Sequence, residues 1–260
     1  MVENLQKKII ILALFAGEIM VKSGAEIYRV EDTITRICKA CNIPYVEVYA
    51  TPTSIFLSVD KGADSDMTTY IKSIRGSKTD LGKIAETNQF SRDFVNTDLS
   101  IDEGMEWLRK IEQKEPYPLW VRVFFVALGC AAFSLMFDGD MKDCLCTFFV
   151  GAITYLVSLG VDNLQTNYFI KGVFCTAFAA LLALTCAMVG IGSSSGAITI
   201  GTLMLFVPGV AITNAIRDFL SGDMVSGLVR MAEAFVIAVS LGVGAGIVLK
   251  TWVMLGGTII

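Results

Sequence analysis

Long apolar segments in the second half of the chain constrain its fold more than any other feature. There are five, at about 119–137, 144–161, 169–190, 196–216 and 231–252. Each is close to the length of about 20 residues that an α-helix needs to cross the hydrocarbon core of a bilayer. Because lipid offers no hydrogen bonds, backbone groups there have to pair within the segment, as they do in a helix. The sequence therefore predicts an α-helical integral membrane protein with five transmembrane helices.

Charged residues are concentrated in the first half. Residues 1–117 carry 15 Lys+Arg and 18 Asp+Glu, whereas residues 118–260 carry 6 and 7. This asymmetry predicts a cytoplasmic domain over 1–117 followed by a transmembrane domain over 118–260. Neither half is basic enough to indicate a nucleic-acid partner.

The first half has the pattern of a small α+β domain. Apolar residues recur at helical spacing over 4–21, 25–41, 80–96 and 100–114. In the second of these helices we expect Tyr28 on the inner side. Short β-rich runs lie at 45–49, 54–59 and 68–74. We expect an antiparallel sheet covered by the first two helices, and a capping box from Ser100 to Glu103.

No catalytic or cofactor motif stands out. The chain has no histidine, no phosphate-binding GxxxxGK[ST] loop and no GxSxG nucleophile turn. Cys38 and Cys41 have CxxC spacing but no second ligand pair, which favours a buried reduced pair over a zinc or redox site. We therefore predict no enzyme activity, no cofactor, no metal site and mostly free thiols.

Basic residues predict the orientation. Lys7 and Lys8 precede an apolar run, but Glu18 follows and no cleavage pattern appears, so we expect no signal peptide and a cytoplasmic N-terminus. Seven basic residues then fall inside, namely Arg109, Lys110, Lys114, Arg122, Lys171, Arg217 and Arg230. Only Lys142 and Lys250 fall outside, which agrees with the positive-inside rule. An odd number of spans puts the C-terminus outside.

The fourth apolar segment contains Pro208-Gly209, where a helix should kink or break. Inside a membrane the freed backbone groups need partners in protein or in a wet cavity, and transporters hold solutes at such breaks. Asn214, Arg217 and Asp218 follow directly. The alternative is a helix that leaves the bilayer, with Arg217 and Asp218 solvated.

Charged groups cluster at the connection between the fourth and fifth segments. Glu233 lies three residues after Arg230, so the two could pair. An amino acid needs a cationic site for its carboxylate and an acidic site for its ammonium, whereas a dicarboxylate needs only cations. This cluster suits either, with Asp218 or Glu233 as proton carrier. The alternative is a solvated cytoplasmic turn.

The start of the second helix is also rich in charge, with Glu26, Arg29 and Glu31. We consider a gating role for these residues beside a local one, in which acidic groups suit the helix dipole and Arg29 pairs with Glu26 or Asp32.

Small residues predict close helix packing. Gly192–Gly196 and Gly242–Gly246 match GxxxG, and Gly201 and Gly244 add further small surfaces. These faces could serve packing within the chain or pairing with a second chain. The serines at 193–195 could cap the fourth helix, whose N-terminal donors could alternatively hold an anion.

Several of these motifs together resemble one known family. They are Ser23-Gly-Ala-Glu-Ile-Tyr-Arg-Val-Glu-Asp-Thr33, Thr51-Pro-Thr53, Arg75, Val207-Pro-Gly209 with Asn214, Arg217 and Asp218, then Ser221-Gly-Asp223 and Gly227. In this order they resemble the threonine/serine exporter family over about Leu12 to Gly246.

The resemblance implies a cytoplasmic N-terminal domain, a five-span bundle in the bacterial inner membrane, and ion-driven export of amino acids or dicarboxylates such as succinate. A chain of this length resembles the larger component of a two-chain exporter, which implies a smaller membrane subunit as partner and further copies of itself. The substrate would bind at Pro208, Gly209, Asn214, Arg217, Asp218 and Glu233, with Glu26, Arg29 and Glu31 as a gate. The alternatives are a membrane-tethered enzyme with a hydrolase-like front domain and a scaffold or sensor subunit.

Overall fold

A computed structural model describes residues 2–60, 67–164 and 166–258, and it divides into two compact units. The first is Met1–Glu115 with Val210–Ala232; the second is Pro116–Gly209 with Glu233–Ile260. In chain order the elements are α1 (Val2–Lys22), α2 (Ile27–Ala40), β1 (Tyr45–Thr51), β2 (Ser54–Asp60), β3 (Thr68–Ser73), α3 (Leu81–Asn96), α4 (Ile101–Gln113), α5 (Leu119–Met136), α6 (Met141–Asp162), α7 (Tyr168–Met188), α8 (Ser195–Leu203), α9 (Gly209–Ser221) and α10 (Met224–Met254).

The sheet of the first unit is antiparallel in the order β1-β2-β3, as predicted. Tyr45 pairs with Asp60 across β1 and β2, and Ser54 pairs with Ser73 across β2 and β3. Alternate side chains of β2 point inward, and the buried ones are Ile55, Leu57 and Val59. One face of the sheet therefore lies on an apolar core.

Helices α1 and α2 supply most of that core. Gly17 of α1 brings the two helices close together, because a Cβ there would overlap the Ile34 side chain. The predicted capping box is present: the Ser100 hydroxyl accepts from the Glu103 amide and the Glu103 carboxylate accepts from the Ser100 amide. The prediction for Tyr28 is wrong. Its side chain is 41% exposed, because it lies on the polar face of α2. The Arg29 guanidinium lies over its ring, 5.8 Å from the ring centre.

The second unit is built from apolar helices. Within the described residues, four helices are long and apolar enough to cross a membrane: α5, α6, α7 and α10. The predicted span at 196–216 is interrupted, since α8 ends at Leu203 and α9 begins at Gly209. The predicted break at Pro208 is thus confirmed. The count of five unbroken spans is not, because the proline separates two helices that are each too short to qualify.

Small residues set the helix contacts of the second unit. A Cβ at Gly201 of α8 would lie 2.9 Å from the Cys130 carbonyl oxygen of α5. Gly244 of α10 faces the Val173 carbonyl and the Thr176 hydroxyl of α7, where a Cβ would overlap both. Gly242 and Gly246, the predicted GxxxG pair, have no atom within 4 Å of such a Cβ. Gly244 therefore makes the contact within this chain. All seven cysteines are free thiols.

Candidate gate cluster

The turn between α1 and α2 leaves backbone groups that need partners. Gly24 has a positive φ of 81°, which glycine tolerates and which lets the chain reverse after α1. Glu26 is the N-cap of α2, but its side chain makes no capping hydrogen bond. The first amides of α2 therefore lack the local acceptor that Ser, Thr, Asp or Asn would provide.

Asp218 of α9 supplies the missing acceptor. Its Oδ1 accepts a hydrogen bond from the Ile27 backbone amide at 3.2 Å, although the two residues are 191 positions apart. Its Oδ2 lies 3.1 Å from Nε of Arg230, and the Asp218 side chain is fully buried. A buried carboxylate at a helix N-terminus is favoured by the helix dipole, and Arg230 balances its charge.

Two further side chains donate hydrogen bonds to backbone carbonyls of the same turn. Asn214 donates from Nδ2 to the Gly24 oxygen at 2.8 Å. Arg230 donates from Nη2 to the Ala25 oxygen at 2.5 Å. Since Asn214 and Asp218 are four residues apart, they share one face of α9. That face therefore binds both the donor and the acceptor groups of the turn.

Glu26 connects two arginines. Its carboxylate lies 2.9 Å from Nε of Arg29 and also pairs with Arg217. Burial pushes the pKa of Glu26 up, but a backbone hydrogen bond and the two guanidinium groups outweigh it, so the pKa lies below its ordinary value. The Arg217 side chain is half exposed. An incoming anion can therefore reach Arg217 while Glu26 stays covered.

Two acidic groups of the cluster, Glu31 and Asp218, have raised pKa values. Burial raises the pKa of Glu31, a backbone hydrogen bond from the Ala50 amide at 2.8 Å opposes the shift, and the negative charges of Asp223 and Asp218 add to it. Burial also raises the pKa of Asp218, against the opposing charge of Arg230. These carboxyls hold a proton more readily than exposed ones would.

The cluster thus joins residues that the sequence placed in two separate groups. Asn214, Arg217 and Asp218 meet the turn that carries Glu26 and Arg29. The local pairing of Arg29 with Glu26 is confirmed. The sequence did not reveal that backbone groups of the turn at 24–27 are the partners. One signal was available: Glu26 is a poor N-cap, so an acceptor from elsewhere was needed.

Pro208, Gly209 and Glu233 belong to the second unit. The chain leaves α8 through a turn in which the Phe206 amide bonds the Leu203 carbonyl, and Pro208 precedes the first residue of α9. The Glu233 side chain is exposed. The sequence allowed Arg230 to pair with Glu233, but in the structure Arg230 pairs with Asp218 instead. No group of metal-binding side chains occurs in the described part of the chain.

The N-terminus of α8 is already occupied. Ser194 is its N-cap and accepts from the Ala197 amide, so the predicted serine cap is confirmed. Asp143 of α6 is buried, and its Oδ1 accepts from the amides of Ser193 at 2.7 Å and Ser194 at 2.9 Å. The anion expected there is therefore a side chain of the same unit.

Comparison with known proteins supplies a family match. The family model described as "Putative threonine/serine exporter" matches residues 11–252. A Mycobacterium tuberculosis protein named "Probable threonine/serine exporter" is 21% identical over 94% of this chain and 46% of its own length. The Escherichia coli K12 protein named "Probable succinate transporter subunit YjjP" is 25% identical over 96% of this chain and 97% of its own.

A fungal relative extends the comparison. "Pheromone-regulated membrane protein 10" of Pichia sorbitophila is 27% identical over 90% of this chain and 24% of its own length. The chain therefore spans about half of the mycobacterial relative and a quarter of the fungal one, but nearly all of the Escherichia coli one. No solved structure matches the chain.

Proposed function

The chain belongs to the threonine/serine exporter family, and from this membership we propose that it is one component of a secondary-active exporter of small metabolites. It is a multi-pass membrane protein of a transporter family, with apolar helices of spanning length. The substrates we propose are amino acids of the threonine/serine type or dicarboxylates such as succinate. The names of the mycobacterial and Escherichia coli relatives support these two classes.

A smaller membrane subunit completes the proposed exporter. The Escherichia coli relative, of nearly the same length, is named a transporter subunit, and the longer mycobacterial relative is named an exporter. Further copies of the chain itself are part of this proposal.

The proposed location is the bacterial inner membrane, with residues 1–117 as a cytoplasmic domain and residues 118–260 as the membrane domain. Connectivity supports five crossings. Residues 210–232 belong to the same compact unit as residues 1–115, so both lie on one side. Three crossings by α5, α6 and α7 leave the chain on the other side, and a fourth has to return it before residue 210. Helix α10 is then the fifth crossing and carries the C-terminus outside.

The fourth crossing is then a broken one. Helix α8 has 9 residues, and at 1.5 Å per residue it rises about 13 Å of a hydrocarbon core about 30 Å thick. The non-helical residues at 204–208 complete the crossing, and the amides of residues 204, 205 and 206 bond carbonyls of the preceding turns. We propose that the solute binds beside Pro208 and Gly209, because transporters hold solutes at such helix breaks. Glu233 lies near the start of the next crossing in the sequence.

One observation carries the proposed mechanism: Glu26 and Arg217 form an ion pair within the cluster that also holds the α1–α2 turn. A substrate carboxylate competes with Glu26 for the half-exposed Arg217 guanidinium, because both are anions that bind the same donors. Losing this pair weakens the hold of α9 on the turn. Glu26, Arg29 and Glu31 act in this way as a gate.

Protonation couples the gate to an ion gradient in this proposal. Asp218 holds the first amide of α2 and Arg230 as a carboxylate, and its raised pKa makes a proton a competitor for that position. Protonated Asp218 no longer balances the charge of Arg230, so the pair opens. Substrate at Arg217 and a proton at Asp218 thus release the same turn.

The transport assay uses inverted membrane vesicles that contain the full chain and its smaller subunit. Labelled threonine, serine and succinate are offered with and without a proton gradient, and gradient-dependent uptake is expected for at least one. Arg217→Ala should abolish it, whereas Arg92→Ala, which removes an exposed arginine of α3, should leave it unchanged. The proposal is wrong if none of the three solutes shows gradient-dependent flux.

A scaffold or sensor role is the second candidate function. It is favoured because polar side chains of the cluster already form hydrogen bonds within the protein. Asn214, Asp218 and Arg230 all bond groups of the α1–α2 turn. In that case Arg217→Ala would leave flux intact, while variants that disrupt the turn would abolish it.

A further inference from the structure

An apolar groove lies between α5 and α6 of the second unit. Its volume is about 550 Å³. The larger side chains that line it are Leu119, Trp120, Val123, Phe124, Phe148 and Leu156. Aromatic rings form much of its wall, with the Phe124 and Phe148 ring centres 5.9 Å apart in an edge-to-face arrangement. Such a groove is suited to an aliphatic occupant.

The groove is short. On α5 it extends from Leu119 to Ala127, a rise of about 12 Å. This is less than half of the hydrocarbon core of about 30 Å. A transmembrane helix of a partner would pack along most of α5, whereas a lipid tail occupies only one leaflet. The length of the groove therefore favours an acyl chain over a helix.

A basic residue is the chain neighbour of a residue that lines the groove, since Arg122 precedes Val123. Arg122 lies in the first turn of α5, and its Nη1 donates to the Tyr155 hydroxyl at 3.4 Å. Its Nε is buried, whereas its Nη2 has no hydrogen-bond partner among the described residues. Within that part of the chain no carboxylate forms an ion pair with Arg122. This guanidinium therefore retains donors for an anion.

The start of α5 adds to the positive potential. Its N-cap is Pro118, which offers no side-chain cap, and its first turn contains no acidic residue. The helix dipole is therefore unbalanced at the same end as Arg122. Trp120 is 74% exposed there, and tryptophan is enriched where a span meets the headgroup region.

We propose that the α5–α6 groove binds an anionic phospholipid, with its phosphate at Arg122 and one acyl chain along Phe124 and Phe148. The guanidinium and the first amides of α5 bind the phosphate oxygens, while the groove covers the tail. The topology proposed above, with the N-terminus of α5 on the cytoplasmic side, assigns the lipid to the inner leaflet. This site is independent of the export proposal, since it involves neither the gate cluster nor Pro208.

Lipid preference tests the charged part of the site. The purified full chain in detergent is titrated with phosphatidylglycerol or phosphatidylcholine of the same acyl composition, and bound lipid is counted by native mass spectrometry. We expect phosphatidylglycerol to bind about fivefold more tightly, the effect of one basic residue near an anionic headgroup. Arg122→Gln should remove the preference, and Arg122→Lys should keep it.

Lys142→Gln is the matched control, because it removes one exposed positive charge at the other end of α6 and should not change the preference. Equal binding of the two lipids by the unmodified chain overturns the proposal, as does a preference that survives in Arg122→Gln.

Photolabelling tests the groove without relying on an arginine variant. Phosphatidylglycerol with a photoactivatable acyl chain is bound to the unmodified chain, and labelled peptides are identified by mass spectrometry. We expect label within 119–127 and 148–156, and less of it in Ala152→Phe, which fills the groove. Label confined to other helices overturns the proposal. So does cross-linking of these residues in native membranes to a second polypeptide instead of lipid.

Discussion

Asp218 caps a helix that begins 191 residues before it, by accepting a hydrogen bond from the Ile27 amide. The same carboxylate is fully buried against Arg230. An acidic residue that the sequence suggests as a proton carrier is thus also a structural partner of α2. These two roles make different demands on the side chain, and substitution can separate them.

Asp218→Ala should destabilise the first unit strongly. It removes the cap of α2 and leaves the Arg230 guanidinium buried without its partner, a type of change that typically costs about 3–5 kcal/mol. Asp218→Asn keeps an oxygen for the Ile27 amide and should cost less. Thermal unfolding of the purified chain in detergent measures both effects. Asp102→Ala provides the control, since its carboxylate is 80% exposed and a surface pair contributes about 1 kcal/mol or less. Equal stability of the Asp218→Ala and Asp102→Ala proteins would contradict the importance of the cap.

Two glutamates should shift the pH dependence of stability in opposite directions. The pKa of Glu31 is raised above its ordinary value of 4.5, so the folded state binds this proton more tightly than the unfolded state does. Glu31 therefore favours folding at low pH and loses that contribution as the pH rises from about 4.5 through its raised pKa. Glu31→Gln should be more stable than the unmodified chain at neutral pH and converge with it in acid.

Glu18 provides the opposite case. Burial raises its pKa, but hydrogen bonds from Lys22 and Lys72 and the charges of both lysines outweigh this, and the pKa lies below 4.5. The ionised Glu18 therefore contributes to the free energy of unfolding above about pH 4.5, and this contribution disappears as the pH falls through the lowered pKa. Glu18→Gln should therefore be less stable at neutral pH. Melting temperatures measured from about pH 4 to about pH 7 test the pair, and shifts of the same sign in both variants would refute the assignment.

Exchanging the charges of Glu26 and Arg217 should show whether their ion pair is functional. Glu26→Arg alone places the new guanidinium beside those of Arg29 and Arg217. Arg217→Glu alone places the new carboxylate beside that of Glu26 and removes one of the two arginines that pair with it. Each should abolish export. The double exchange restores opposite charges and should recover part of the flux. The Arg217 side chain is half exposed but Glu26 is buried, so Arg217→Glu places a like charge beside a buried carboxylate and should also lower the free energy of unfolding. Additive losses of flux in the double variant would argue against a functional pair.

Glycine contacts in the second unit predict a contrast along a single helix. Gly244→Ala should destabilise the chain, since its new methyl group would overlap the Val173 carbonyl and the Thr176 hydroxyl. Gly242→Ala and Gly246→Ala meet nothing within 4 Å, and alanine favours a helix over glycine by about 0.5–1 kcal/mol. Melting temperatures in detergent should fall only for Gly244→Ala. If all three variants behaved alike, the α7–α10 contact would be wrong.

Local patterns predicted most of the elements. The apolar periodicity of α1 to α4, the alternation in β1 to β3 and the capping box at Ser100 all depend on residues that are close in sequence. Pro208 likewise breaks its helix through its own backbone geometry. Such features are encoded within a few residues, so their prediction requires no knowledge of the tertiary fold.

Features that depend on distant residues were not predictable in the same way. The sequence indicated Gly242, Gly244 and Gly246 as small surfaces of α10, but only the orientation of α10 against α7 selects Gly244 among them. Asp143 accepts from the amides of residues 193 and 194, and Asp218 from that of Ile27, across long stretches of chain. The sequence indicated polar residues that needed partners, but it contained no information about which backbone groups would meet them.

The first compact unit is not continuous in sequence, because Val210–Ala232 joins Met1–Glu115. During synthesis the ribosome therefore releases the sheet and its helices long before Asp218 and Arg230 emerge. Until the intervening apolar helices are inserted, the carbonyls of Gly24 and Ala25 and the Ile27 amide therefore lack their partners from α9 and α10. Completion of the first unit thus depends on insertion of those helices, and a nascent chain stalled before residue 210 would lack the partners of the α1–α2 turn.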